Sequence, residues 1–376
     1  MINVTSALVI AFRADASLDI GTGHIMRCLT LANELARNGA TCHFLCREHP
    51  GNLLGLIRDN GHQVHSLPLI PQGDTDTPAA KRLDHADWLG SSQEDDATVC
   101  ANILKLLKPS RLVVDHYALD SRWEKALAPH YRKLMVIDDL ADREHDCDLL
   151  LDQTFGRDPS DYEPWTPAQC QRLCGAQYAL LRPEFVQWRD YSLARRTSGK
   201  LQHMLINLGG VDRDNVTSQV LAALKNCPLP KACQITVVMG ATAPWAEQVS
   251  EFCRDMPWPT EVKVGVSNMA ELMANSDLAI GAAGATSWER CCLGVPSVLI
   301  VQAENQEKIA QALESASAAA AISTPNKISS ELCAALKLLQ SEPAQLFSMS
   351  EQASLIVDGH GAGVTVDVMR SLSDWK

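Results

Sequence analysis

No run in this sequence is apolar for long enough to cross a membrane. The early run at residues 7–12 has neither the basic flank nor the longer apolar region of a secretory signal, so it reads as a buried first strand. Positive charge is also short. Against 45 acidic residues there are 33 Lys and Arg, a formal charge of −12, which disfavours a general binder of nucleic acid or of anionic membranes. A small anionic ligand remains compatible, because backbone N–H groups and helix N-termini hold phosphate without any Lys or Arg. Cysteine is present 13 times, but Cys42/Cys46 and Cys170/Cys174 lack a matching second pair with metal spacing. The cysteines therefore read as reduced, cytoplasmic small hydrophobes rather than a disulfide framework or a zinc site. P-loop, GxSxG and HExxH patterns are missing. Asp138-Asp139 and Asp115-His116 end different strands without ligand spacing, so neither a metal nor another cofactor is expected.

What is there is an alternation. Short apolar, β-branched runs at 7–14, 41–46, 111–115 and 134–138 read as buried parallel strands, with helical patterns between them. Ile25, Cys28, Leu29, Ala32, Leu35 and Ala36 fall at helical spacing, and Gly39 follows as a C-terminal cap. The same grammar restarts after the basic stretch 189–200, with strands at 203–208, 234–239, 261–266, 277–281 and 296–301. The length also favours two domains. The expected division is 1–195, 196–350 and a terminal helix in 351–376 that packs back on the first domain. The expected fold class is α/β, with two doubly wound, Rossmann-like domains facing each other. Residues 75–96 read as a surface excursion, and the Ala-rich 315–321 as small-residue packing.

In open parallel sheets ligands bind beyond the carboxyl ends of the strands, so four strand-to-helix loops carry the functional reading. Gly21, Thr22 and Gly23 allow close backbone approach, and His24 at the helix start is a candidate general base or, equally, a packing histidine. Asp15, two residues after Arg13, is placed to orient His24 or to cap a loop. Arg13 is placed to bind a substrate oxygen or to pair with a neighbour. Gly209 and Gly210 run into a helix opened by Asn215, which suits either a ligand or a simple cap. Gly284, Ala285 and Thr286 form a small-residue helix start suited to a diphosphate, and Glu289, one turn on, suits the two ribose hydroxyls. Asn305 and Gln306 are candidates for a water or for sugar hydroxyls and amides.

Together these loops resemble the UDP-2,4-diacetamido-2,4,6-trideoxy-β-L-altropyranose hydrolases of pseudaminic acid biosynthesis, relatives of MurG-type glycosyltransferases. The resemblance runs through Phe12-Arg13-Ala14-Asp15, Gly21-Thr22-Gly23-His24, Val114-Asp115-His116-Tyr117, Ile137-Asp138-Asp139, Tyr178-Ala179-Leu180-Leu181-Arg182, residues 281–289 and Glu304-Asn305-Gln306. Near the end Asp358-Gly359-His360-Gly361 also fits, but Val364 stands where a basic residue is expected. The resemblance implies a GT-B fold with a cleft and release of UDP by water. It implies His24 as base, Glu289 on the nucleotide, Asn215 as a substrate contact and Asn305 in the site.

Two other readings are open. A MurG-like inverting glycosyltransferase would turn His24 on an acceptor hydroxyl, but the acidic chain shows no amphipathic, basic stretch for docking at a membrane. A non-catalytic nucleotide-sugar binder would have little use for His24. The expected protein is a cytoplasmic monomer whose partner is a small nucleotide sugar, with no nucleic acid and no membrane insertion.

Overall fold

A computed structural model describes residues 8–69, 83–196 and 199–372. The strands are β1 (Leu8–Ala14), β2 (Ala40–Arg47), β3 (Gln63–Leu67), β4 (Arg111–Asp115), β5 (Lys133–Ile137), β6 (Leu149–Asp152), β7 (Gln171–Cys174), β8 (His203–Asn207), β9 (Gln234–Met239), β10 (Thr260–Val264), β11 (Leu278–Ala282), β12 (Ser297–Ile300) and β13 (Ala320–Ile322). The helices are α1 (Gly23–Arg37), α2 (Leu54–Asp59), α3 (Gln93–Leu107), α4 (Ser121–Leu127), α5 (Pro183–Arg195), α6 (Val216–Leu224), α7 (Ala246–Arg254), α8 (Met269–Ala274), α9 (Thr286–Cys292), α10 (Glu307–Ser315), α11 (Ile328–Ser341), α12 (Pro343–Ser354) and α13 (Gly361–Ser371). The chain divides into two compact units, 1–180 with 361–376, and 181–360.

In the first unit seven strands run in the order β3-β2-β1-β4-β5-β6-β7, and every pairing is parallel. Parallel sheets need cover on both faces, and the alternation along β1 supplies it. Ile10 and Phe12 join the core under α1 and α13, while Ala11 joins the opposite core with Leu104 of α3 and Trp123 of α4. Ile25, Cys28, Leu29, Ala32 and Leu35 are the buried stripe of α1, as their spacing predicts, whereas Ala36 in its last turn is exposed. Val366 and Met369 bring α13 into the same core. At roughly 1.5–3 kcal/mol for each fully buried side chain, these two contribute about 3–6 kcal/mol to the docking of α13.

In the second unit six parallel strands take the order β10-β9-β8-β11-β12-β13. Met204, Ile206, Leu278, Ile280, Val298 and Ile300 form the centre of its core. Cys227, just beyond α6, is joined to Cys333 of α11 by a disulfide. This corrects the expectation that all cysteines are reduced, although the other eleven are free and buried.

Two further expectations change. Arg189 and Arg196 of the basic stretch at which the division was expected bond backbone carbonyls of the second unit. Arg189 reaches Ser354 O at 2.8 Å, and Arg196 reaches Met273 O at 3.1 Å. The division therefore falls earlier, between Leu180 and Leu181. Part of the 75–96 segment is interior: Asp96 is fully buried between Arg13 and Arg47. Residues 70–82 lie outside the described residues.

Candidate active site

Strand order reverses direction at β1 and β4 in the first sheet, and such a switch point opens a crevice at the carboxyl ends of the two strands. β1 leads into the 15–22 loop and His24, the second residue of α1, and β4 ends on Asp115. His24 Nδ1 lies 2.6 Å from Asp115 Oδ1. A carboxylate can only accept there, so Nδ1 carries the proton and Nε2 is left with its lone pair. Arg27, one helical turn after His24, donates to Asp115 from Nε at 2.6 Å and from Nη2 at 2.7 Å. It also donates from Nη1 to Asp139 at 2.5 Å. Burial by itself raises the carboxyl of Asp115, but the charge of Arg27 and the hydrogen bonds from Arg27 and His24 prevail and hold it well below the usual carboxylate range. The result is a fixed acceptor that keeps the imidazole in one tautomer.

Aromatic rings flank the histidine. The Tyr117 ring meets it edge-on with centroids 4.7 Å apart, and Trp88 stacks on Tyr117 at 5.8 Å. The Tyr117 hydroxyl donates to Asp139 at 2.8 Å. Gly21 adopts φ +80°, and a Cβ at Gly21 or at Gly23 would meet no atom within 4 Å. The loop before His24 thus leaves open space, and Thr22 in its N-cap position makes no side-chain cap bond.

Asp15 does not orient His24. Its Oδ2 pairs with Arg13 at 2.8 Å and lies 3.2 Å from His116 Nε2, and its Oδ1 accepts from the Arg47 N–H at 2.6 Å. Arg13 is itself fully buried and binds Asp96, so it has no substrate oxygen to serve. The physical reason is the alternation of a strand continued into its loop. Adjacent residues Asp115 and His116 point to different partners, the first to His24 and the second to Asp15. Asp115, Arg27 and Tyr117 are the site residues that sequence reasoning passed over.

In the second sheet the switch point lies between β8 and β11. After β8, Gly209 adopts φ +103° with open space beside it, and a Cβ on Gly240 would collide with the Gly210 carbonyl. Asp212 then occupies the start of α6, accepting from the N–H groups of Val216 at 2.9 Å and Thr217 at 3.0 Å. Asn215 is the N-cap residue, with its side chain accepting from Ser218 at 3.4 Å. Of the two readings for Asn215, the described contacts match the cap.

After β11 the turn at 283–285 leads into α9. Ser287 N–H returns to the Gly284 carbonyl at 2.9 Å, and among the described residues no protein acceptor takes the N–H of Gly284 or Ala285. Gln306 closes one side: its Oε1 accepts from Gln302 N–H at 3.0 Å, and its Nε2 lies 3.9 Å from where a Cβ on Gly284 would stand. Asn305 beside it is exposed. Glu289 is partly exposed, and Arg182 Nη2 lies 3.7 Å from its Oε1. Burial pushes the Glu289 carboxyl up to about 7, with Arg182 and Arg290 pulling the other way. Among the described residues, no group of three or more His, Cys, Asp and Glu could hold a metal ion.

Comparison with known proteins matches residues 205–360 to the glycosyltransferase family 28 C-terminal domain. The MurG structure of Acinetobacter baumannii superposes with a TM-score of 0.66 at 16% identity, covering 97% of this chain and all of that one. Spinosyn rhamnosyltransferase SpnG complexed with thymidine diphosphate follows at 0.62 and 15%, covering 96% of this chain and 100% of that one. The chain has the GT-B fold. Among relatives by sequence, the UDP-2,4-diacetamido-2,4,6-trideoxy-β-L-altropyranose hydrolase of Campylobacter jejuni is 26% identical over 80% of this chain and 94% of its own. An uncharacterized protein of Methanocaldococcus jannaschii is 24% identical over 80% of this chain, and this chain spans only 57% of its length. Spore coat polysaccharide biosynthesis protein SpsG of Bacillus subtilis is 30% identical over 50% of this chain and 54% of its own. The resemblance to the altropyranose hydrolases read from the sequence therefore holds over most of this GT-B chain.

Among the described residues, no helix is long and apolar enough to cross a membrane.

Proposed function

We propose that this protein hydrolyses UDP-2,4-diacetamido-2,4,6-trideoxy-β-L-altropyranose to UDP and the free sugar, within pseudaminic acid biosynthesis in the cytoplasm. The observation that carries the reading is the His24–Asp115 bond at a switch point, which leaves Nε2 as the acceptor for a proton from water. The water attacks the anomeric carbon as the bond to the diphosphate breaks. The pair of electrons leaves on UDP, and the sugar passes through an oxocarbenium-like state. Attack from the face opposite UDP inverts the anomeric centre.

The second unit holds the nucleotide in this reading. Free N–H groups at Gly284 and Ala285 meet the diphosphate, Glu289 meets the ribose hydroxyls, and Asn305 with Gln306 meets the sugar. Asp115 holds no metal in this reading, because both its oxygens are already engaged by His24 and Arg27, and a neighbouring guanidinium opposes a cation there.

The glycosyltransferase matches favour one other reading, in which an acceptor hydroxyl replaces water. UDP release separates the two. The purified enzyme, given only the UDP sugar and a chelator, should release UDP at full rate, and His24→Ala should lose about 10²-fold or more in kcat with little change in KM. UDP release that needs an added acceptor would establish transfer, and a folded His24→Ala protein with normal turnover would remove the base.

A further inference from the structure

Arg290 is a buried cation without an anion. It is 2% exposed, and among the described residues no carboxylate forms an ion pair with it. Its bonds run from Nη2 to the Ala282 carbonyl at 2.7 Å and Ser287 Oγ at 3.0 Å, and from Nη1 to Thr286 Oγ1 at 3.1 Å. Nε has no partner. Burial pulls the guanidinium down to about 10, and the nearby Cys291 and Glu289, neither of them in an ion pair with it, offset this only in part.

Other buried arginines have an account within the fold. Arg13 faces Asp15 and Asp96, and Arg27 faces Asp115 and Asp139. Arg196 is also pulled down, to about 9, but it sits among the carbonyls of Met273, Ala274 and Ser276 at the end of α8, where a helix dipole favours a cation. Arg290 is in the reverse position, with its guanidinium against the first two residues of α9, at the end a cation disfavours.

The surrounding sequence makes room for it there. A Cβ at Gly281 would collide with Arg290 Nη1, so a side chain in that strand position would evict the guanidinium. A guanidinium only donates, so Thr286 and Ser287 accept from it and must send their own hydroxyl protons elsewhere. Among the described residues neither hydroxyl finds a protein acceptor, and Thr286 is partly exposed. A hydroxyl that accepts a charge-assisted bond becomes a stronger donor.

We propose that Arg290 is a positioning residue for the diphosphate of a bound nucleotide, presenting the partly exposed Thr286 hydroxyl as a donor and giving the 281–287 segment a positive charge that the ligand neutralises. The proposal rests on the reading of this loop as the nucleotide site. It differs in predicting that the charge is read on the diphosphate and not on the nucleoside.

Titration calorimetry with UDP and with uridine, on the wild type and on Arg290→Met, Arg290→Lys and Gly281→Ala, tests it. At about pH 8.5, where Glu289 stays ionised without help from Arg290, Arg290→Met should weaken UDP by about tenfold or more and leave uridine unchanged, and Arg290→Lys should recover part of the loss. Gly281→Ala, which displaces the guanidinium without removing its charge, should show the same selective loss. These last two variants decide the matter if Arg290→Met does not fold. Equal weakening of UDP and uridine, or no weakening of either, would overturn the role of Arg290 while leaving the nucleotide site intact. A wild type that binds neither ligand would overturn the nucleotide reading and this proposal with it.

Discussion

His24 Nδ1 and Asp115 Oδ1 lie 2.6 Å apart although 91 residues separate them, and Arg27 closes two more bonds on the same carboxylate. The three side chains form one unit. Arg27 keeps Asp115 ionised, and Asp115 keeps the proton of His24 on Nδ1, which leaves the lone pair on Nε2.

Asp115→Asn tests that unit. An amide in place of the carboxylate can present its N–H to the ring and stabilise the wrong tautomer, while Arg27 loses its counter-charge. The expected outcome is a fall in kcat of about 10²–10⁴-fold with UDP affinity unchanged. Steady-state kinetics beside UDP calorimetry checks it, and a kcat within a few fold of wild type would exclude Asp115 from the mechanism.

Asp15→Ala should behave differently. Asp15 is held well below the usual carboxylate range, with Arg13 opposing the effect of burial. A carboxylate lowered on folding contributes stability above its ordinary range and loses it as pH falls. Removing it leaves the buried Arg13 and Arg47 to share the single carboxylate of Asp96, which should lower stability by about 3–5 kcal/mol at neutral pH. The loss should shrink toward acid. Denaturant unfolding at pH 7 and at about pH 2.5, below the ordinary carboxylate value, measures both, and kcat of the folded protein should stay near wild type. A large kcat loss without destabilisation would return Asp15 to the catalytic site.

Glu289 gives a pH signature on binding. Its carboxyl is pushed up to about 7 and must be ionised to accept from two ribose hydroxyls. Affinity should therefore rise with pH through that value, by about tenfold between pH 6 and pH 8. Uridine is the suitable ligand because it carries no phosphate to titrate in this window. Flat affinity in the wild type, or an equal rise in Glu289→Gln, would separate Glu289 from the ribose.

Much of this was legible in the sequence. The long central strands β1, β4, β8 and β9 are continuous apolar runs, and the spacing of α1 names its buried face. The short strands β6, β7 and β13 were not legible, since three or four residues carry no period. His24 and Glu289 announce themselves as polar residues at glycine-rich helix starts. Asp115 does not, because its role depends on β4 lying beside β1, a pairing that no local pattern encodes. Once that strand order is known, a carboxylate at the end of β4 is the first residue to inspect. Of the two readings for Arg13 the described contacts match pairing with a neighbour, while Arg189 and Arg196 moved the expected division for a related reason. Charge suggests solvent, but here it is spent on buried carboxylates and carbonyls.

Turnover of UDP-2,4-diacetamido-2,4,6-trideoxy-β-L-altropyranose in heavy-oxygen water, with no acceptor present, tests the central claim most directly. A base on His24 that activates water against the anomeric carbon puts the label in the released sugar, with inverted configuration in the first-formed product and unlabelled UDP. Label in the UDP phosphate, or a first-formed sugar of retained configuration, would contradict it.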